Sequence, residues 1–340
     1  MKKNKLNIFI KIKNRISNFL SRRPHRSFRL SKRRDYNRSM KVPGLFKFTK
    51  DVTMILWNNK KTFLILALVY AVFMVAMAGI ISQADYNTLT DTLDSTSNSF
   101  FTGAFGSIGK ASMMYLTAVT GGLSGNLTDV QKIYSFIILL FAWLTSVWLL
   151  RNILAGHKVK VRDGLYNAGS PILSTVMVSL LLIVQMLPFA IALIGYSAAT
   201  VTGLLDGGVE AMLFWIAAGI LTVLSLYWIT STIFALIIIT LPGMYPYRAI
   251  KTAGDLVVGR RSRILLRFLW MVFVTLLAWA LVLMPIIILD SWIKSIWPAS
   301  SWVPVVPIVI MALSSLSVIW VSSYVYLLYR KIIDDDNSQT

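Results

Sequence analysis

The chain has 340 residues, 56% hydrophobic and 14% charged, where soluble domains carry about 25% charged residues. Its net charge is nevertheless +20, so an apolar chain concentrates a basic surplus in few places. This excludes a disordered chain and disfavours a soluble domain, and zero Cys excludes disulfides, thiolate nucleophiles and Cys-based metal sites.

The N-terminal 41 residues divide in two. Leu6, Phe9, Ile12, Ile16, Phe19 and Leu20 recur at three- and four-residue steps, with Lys11, Lys13 and Arg15 on the other face. That pattern predicts an amphipathic helix over 6–20 lying in a membrane interface. Arg22, Arg23, Arg26, Arg29, Lys32, Arg33, Arg34 and Arg38 follow with few apolar neighbours. Near a membrane, anionic headgroups attract such bases by about 1 kcal/mol each. Anionic inner-leaflet lipid is therefore the first partner expected for Lys11 through Arg38. Nucleic acid is the weaker alternative, since Phe9, Phe19 and Phe28 could stack on bases but no RNA-binding fold accompanies them.

Six apolar windows follow, at 62–82, 133–150, 172–195, 211–241, 264–289 and 302–329. Each is near the 20 residues needed to cross a bilayer. Their only charge is Arg267, in the first turn of the fifth. The first window starts too late for a cleaved signal and reads as a signal anchor.

Charge predicts the threading. Residues 1–61 hold nineteen Lys/Arg against two Asp, segment 151–171 holds four against one, and segment 242–263 holds five against one. Segments 83–132 and 196–210 are net acidic, and 290–301 is neutral. Base-rich and base-poor segments alternate at every crossing, which puts both termini in the cytoplasm. The outer segment 83–132 contains an apolar, glycine-interrupted stretch, 100–123. A short surface helix is the favoured reading there over a re-entrant loop, because backbone at membrane depth must be shielded.

Val42-Pro43-Gly44-Leu45-Phe46-Lys47-Phe48 precedes the first window, and Leu241-Pro242-Gly243-Met244-Tyr245-Pro246-Tyr247 precedes the fifth. Each leads through a short amphipathic stretch to a basic stop, with a vaguer version at 156–171. The expectation is an all-α fold of three hairpins, each with a cytoplasmic elbow helix. Duplication and convergent surface chemistry both account for the likeness. A membrane domain over 42–331 thus stands between the basic tail and an acidic tail, 332–340.

Catalytic machinery is sparse. His25 and His157 are the only histidines and lie in base-rich stretches, so no nucleophile–His–acid set assembles. No cofactor, metal or enzymatic activity is expected. Gln185 reads as an interhelical hydrogen-bonding residue. Pro188 and Pro285 read as packing kinks ahead of functional hinges.

The run Tyr247-Arg248-Ala249-Ile250-Lys251-Thr252-Ala253-Gly254-Asp255-Leu256-Val257-Val258-Gly259-Arg260-Arg261, followed at once by a long apolar stretch, resembles one bacterial family. That family is the membrane domain of glycerophosphoryl diester phosphodiesterases, with its six-span relatives. Residues 45–61 and 151–156 fit the same style. The resemblance implies a stand-alone domain in a bacterial cytoplasmic membrane. The phosphodiesterase activity does not carry over, because only ten residues follow Arg330.

The same loop also resembles the coupling loop of importer-type ABC permeases. Ala249, Gly254, Ile264 and Leu266 fall on its spacing, while Arg248 stands at its Glu, Ile250 at its second Ala and Arg267 at its closing Pro. This implies a candidate coupling loop of Arg248, Ala249, Gly254, Arg260 and Arg261, with a protein partner at 151–171 and 242–263. The expected function is a non-catalytic plasma-membrane protein acting through lipid or protein contacts. A permease subunit and a ribosome- or RNA-associated membrane factor are the alternatives. Oligomeric state is not legible.

Overall fold

The structure, a computed structural model, describes residues 44–78, 129–205, 207–297 and 303–337. The basic tail with the expected helix at 6–20, and the stretch 100–123, lie outside them. Nine helices make up the described residues: α1 Leu45–Asn58, α2 Lys60–Ala78, α3 Asp129–Leu154, α4 Val161–Ala168, α5 Ile172–Val201, α6 Gly208–Ile238, α7 Pro246–Val257, α8 Arg261–Ile296 and α9 Val305–Asn337. The fold is all-α. Six helices (α2, α3, α5, α6, α8 and α9) are long and apolar enough to cross a membrane. The short helices α1, α4 and α7, called elbows below, precede α2, α5 and α8.

Local chemistry explains the joints. α3 ends at Gly156, whose φ of 85° few L side chains adopt. There the His157 N–H reaches the Asn152 carbonyl at 3.0 Å and the Gly156 N–H reaches Ile153 at 3.0 Å, the paired bonds of a Schellman end. The Lys160 N–H donates to Asp163 Oδ2 at 3.2 Å, which starts α4. Pro246 opens α7, where its missing N–H costs nothing.

The fifth span exceeds its expected bounds. The patterning ends it at 289 and assigns 290–301 to an outer loop, yet α8 continues to Ile296. Lys294 Nζ pairs with Asp290 Oδ2 one turn back, at 2.7 Å. The two charges neutralise each other on the helix instead of ending it.

α9 is the hub, touching α1, α2, α3, α6 and α8. With α2 and α3 it forms a compact trio. The Tyr70 hydroxyl of α2 lies 2.9 Å from the Phe141 carbonyl and 2.7 Å from Thr145 Oγ1, both on α3. Trp279 Nε1 of α8 donates to Ser317 Oγ of α9 at 2.7 Å. The main core lies toward the base-rich end, where Leu66, Leu150, Ile238, Ala253, Ile264 and Leu328 are all buried.

The hairpin α5–α6 is built otherwise. Its helices have 30 and 31 residues, about 45 Å each, which exceeds a hydrocarbon core of about 30 Å. Exposed apolar side chains run from Leu173 and Met177 on α5 to Val209 and Met212 on α6, covering both ends of the pair. Apolar helices longer than the hydrocarbon core are accommodated in bilayers by tilt.

Candidate functional site

The three elbows gather the polar chemistry of the described residues at one end. Each buries a stripe at four-residue spacing: Phe48 and Val52 on α1, Gly164 and Ala168 on α4, and Ala249, Ala253 and Val257 on α7. A stripe at that spacing is one face of a helix. The opposite faces carry bases and aromatics together. Lys47 and Lys50 are exposed on α1 beside Phe46, Arg162 on α4 beside Tyr166, and Arg248 and Lys251 on α7 beside Tyr247. Tyr166 is 87% exposed and Tyr247 is 72% exposed, unusual for tyrosines in an aqueous surface and normal for an interfacial belt. Trp57 is exposed with Lys60 Nζ over its ring at 5.1 Å.

Small residues let the elbows sit close. A Cβ on Gly164 would lie 3.0 Å from Leu149 Cγ and from Thr145 Cγ2, so α4 packs against α3 at glycine distance. Ala249 and Gly254, singled out by their spacing, are both buried. Their size serves the packing of α7 beside α6 and α5, and the outward face of α7 belongs to Arg248 and its neighbours.

Arginines tie the elbows to the spans. Arg151, at the end of α3, donates to the Thr240 carbonyl at 3.0 Å and also to Thr240 Oγ1. It thereby holds the end of α3 to the segment that follows α6. Arg260 is 1% exposed, and its Nε donates to the Leu256 carbonyl at 3.1 Å, closing the last turn of α7. Arg261 donates to the Tyr227 carbonyl at 3.1 Å, with its guanidinium 3.7 Å from the centre of the Tyr227 ring. Stacking of this kind is specific to a planar cation. Arg260 thus sits inside the fold, Arg261 lies half-buried against the exposed Tyr227 ring, and Arg248 faces out. His157 is exposed in the α3–α4 connection. Lys11, Lys13, Arg15, Arg22, Arg23, Arg26, Arg29, Lys32, Arg33, Arg34 and Arg38 lie outside the described residues.

Gln185 and Pro188 form one unit. Thr232 Oγ1 of α6 donates to Gln185 Oε1 at 2.6 Å, and Ser225 Oγ donates to the Gln185 carbonyl at 2.5 Å. Pro188 removes the backbone hydrogen bond to the carbonyl four residues back, that of Val184, and the Gln185 carbonyl next to it takes the Ser225 hydroxyl of the neighbouring helix. Pro285 lies inside α8, between Leu283 and the Ile286–Ile287 pair that pack against α9.

A cleft among α2, α3 and α9, lined by Tyr70, Met74, Ser314 and Ser315, has a volume of about 30 Å³, room for a single water. Sequence reasoning missed the partners of Arg151 and Tyr70, because Thr240 and Thr145 lie 89 and 75 residues away in sequence. Only the elbow glycine-plus-base steps hinted that bases would anchor helix joints.

Protein-family models, curated proteins and solved structures yield no match to the chain. What the fold defines is a class, an all-helical multi-pass membrane protein with six candidate spans.

Proposed function

We propose that the chain is a non-catalytic protein of the plasma membrane whose elbows and termini face the cytoplasm and engage anionic lipid. The observation carrying this reading is the pairing of exposed bases with exposed aromatics on all three elbows, at one end of the spans. Aromatics settle at headgroup level, and bases mark the cytoplasmic side. At the other end the described polar side chains include the self-neutralised Asp290–Lys294 pair and Glu210.

The chain contains no cysteine, so single-cysteine variants report topology cleanly. Lys251→Cys should resist a membrane-impermeant thiol reagent in intact cells, and Leu204→Cys should react. The reverse pattern overturns the orientation. A peptide of residues 1–41 should sediment with anionic liposomes in a salt-dependent manner. Equal sedimentation with neutral liposomes overturns the lipid role of the tail.

The outward face of α7, with Tyr247, Arg248 and Lys251 exposed, supports a second reading, a permease subunit docking an ATPase there. Affinity purification from native membranes should then recover an ATPase, and Arg248→Glu with Lys251→Glu should release it.

A further inference from the structure

The hairpin α5–α6 stands apart from the bundle over the first half of α6. Every buried residue of α6 lies between Ser225 and Ile238. Arg261 of α8 donates to the Tyr227 carbonyl of α6, and the Phe234 and Phe268 rings lie 5.4 Å apart. From the first contact to the second, both helices advance seven residues, about 10 Å each. Antiparallel neighbours would advance in opposite directions, so α6 crosses α8 instead of running beside it. Midway along α5, Gln185 is half-buried. Its Oε1 accepts from Thr232 and its carbonyl from Ser225, but its Nε2 has no hydrogen-bond partner among the described residues. Nor is that nitrogen sealed within the fold, as Trp143 Nε1 is. The deficit is the same whichever end of the amide meets Thr232. An amide group left open to hydrocarbon carries a cost that a polar partner on another membrane helix removes.

Beside Gln185, the residues Met177, Val184 and Ile191 recur every seven positions, each more than half exposed. An apolar stripe of that period is how parallel helices meet. Copies of one chain in one membrane share an orientation, because the same charges thread each of them. A two-fold axis along the membrane normal therefore sets α5 parallel to its counterpart, with each residue at the depth of its own copy. The amide also matches itself. It has N–H groups to give, and Oε1 keeps a lone pair after the bond from Thr232. An unrelated helix would need a polar group at that depth, and a second copy brings one with it. We propose that two copies of the chain pair through α5. Met177, Val184 and Ile191 meet their counterparts, and Gln185 exchanges hydrogen bonds with the partner's Gln185 across the axis. The polar unit of Gln185, Ser225 and Thr232 is incomplete in one copy and is completed by the second.

The test uses the full-length protein in phosphatidylcholine liposomes, with a dye on one cysteine added at the C-terminus. Stepwise photobleaching counts copies as the protein is diluted into lipid, read against a known monomer at the same density. Two steps should give way to one. A single step at every density overturns the pairing, and three or more steps overturn the two-fold arrangement. Q185L should raise the dissociation constant about eightfold, the worth of two hydrogen bonds between membrane helices. Q185N should recover part of that loss. An unchanged constant in Q185L overturns the role of the amide. T232V removes only the bond within one copy and should leave the constant near that of the wild type. A T232V loss equal to that of Q185L assigns the effect to packing within the copy and overturns the paired amides. Where Q185L fails to fold, oxidative crosslinking decides with the amide intact. In the otherwise cysteine-free chain, V184C should form a disulfide-linked dimer, and L68C on α2, 64% exposed, should not. Crosslinking no faster at V184C than at L68C overturns α5 as the contact surface.

Discussion

α3 and α6 are nearly equal in mean hydropathy, 2.1 and 2.0, but half of the apolar stretch of α3 is buried inside the molecule against 6% of that of α6. Hydropathy therefore does not decide which helix goes inside. Lipid tails are as apolar as leucine, so membrane helices associate through small side chains and hydrogen bonds. α3 carries Ala142, Thr145 and Ser146 buried together and receives the Tyr70 hydroxyl from α2. In α6 the buried residues Ser225, Thr230, Thr232 and Ala235 lie in its second half, toward the base-rich end. There the hairpin α5–α6 joins the bundle, while Val209, Met212, Ile216 and Ile220 of its first half stay exposed. In α6 the packed half is the one rich in hydroxyl residues, and small residues alone do not secure packing, since Ala217 and Gly219 of the free half are exposed.

Substitutions can break or sharpen this contrast. The largest effect should come from Leu150→Ala in the buried core beside α9, which removes a side chain with 0% exposure and should cost about 2–5 kcal/mol in reversible unfolding in mixed micelles. Leu213→Ala in the free half of α6 removes the same atoms at 58% exposure and should stay within about 0.5 kcal/mol in the same assay. Equal losses would dissolve the distinction between the two regions. Next comes Gly164→Ala, whose methyl would press on Leu149 and Thr145 at 3.0 Å. Overpacking there should cost about 1–3 kcal/mol, visible as a lower melting temperature. A neutral result would mean that α4 can lift off α3 freely.

Tyr70→Phe should cost about 1 kcal/mol, within the span measured for hydrogen bonds between membrane helices. The smallest effect among the packed positions should come from Ser225→Ala, at about 0.6 kcal/mol, and its value lies in a double-mutant cycle with Pro188→Ala. If the Ser225 bond to the Gln185 carbonyl depends on the helix opening at Pro188, restoring the backbone bond from residue 188 to the Val184 carbonyl should shrink the Ser225 penalty. Additive losses would show the two residues to be unrelated.

Much of the fold was legible in the residues. Apolar runs without a polar face can only be membrane helices, and their alternation with base-rich segments orders them into hairpins. The short helices were legible from the repeated Pro43-Gly44 and Pro242-Gly243 steps and from Gly259-Arg260, although Gly44 itself sits at an ordinary φ of −60°. Gly243 and Gly259 do adopt φ of 71° and 81°. The site was legible only in part. Its bases were countable, but spacing alone assigned Ala249 and Gly254 an outward role, whereas their small size places them against α6.

The sequence by itself determined the six long apolar helices and the places where base-rich stretches separate them, since these follow from local hydropathy and charge. Tertiary structure decided that α9 is the hub and that α1 is bonded to Trp270 and Trp320, 221 and 267 residues from their threonine partners. No local pattern encodes such pairings. Each depends on which hydroxyl and which small residue another helix presents once the spans have come together, and in lipid those few contacts select the arrangement.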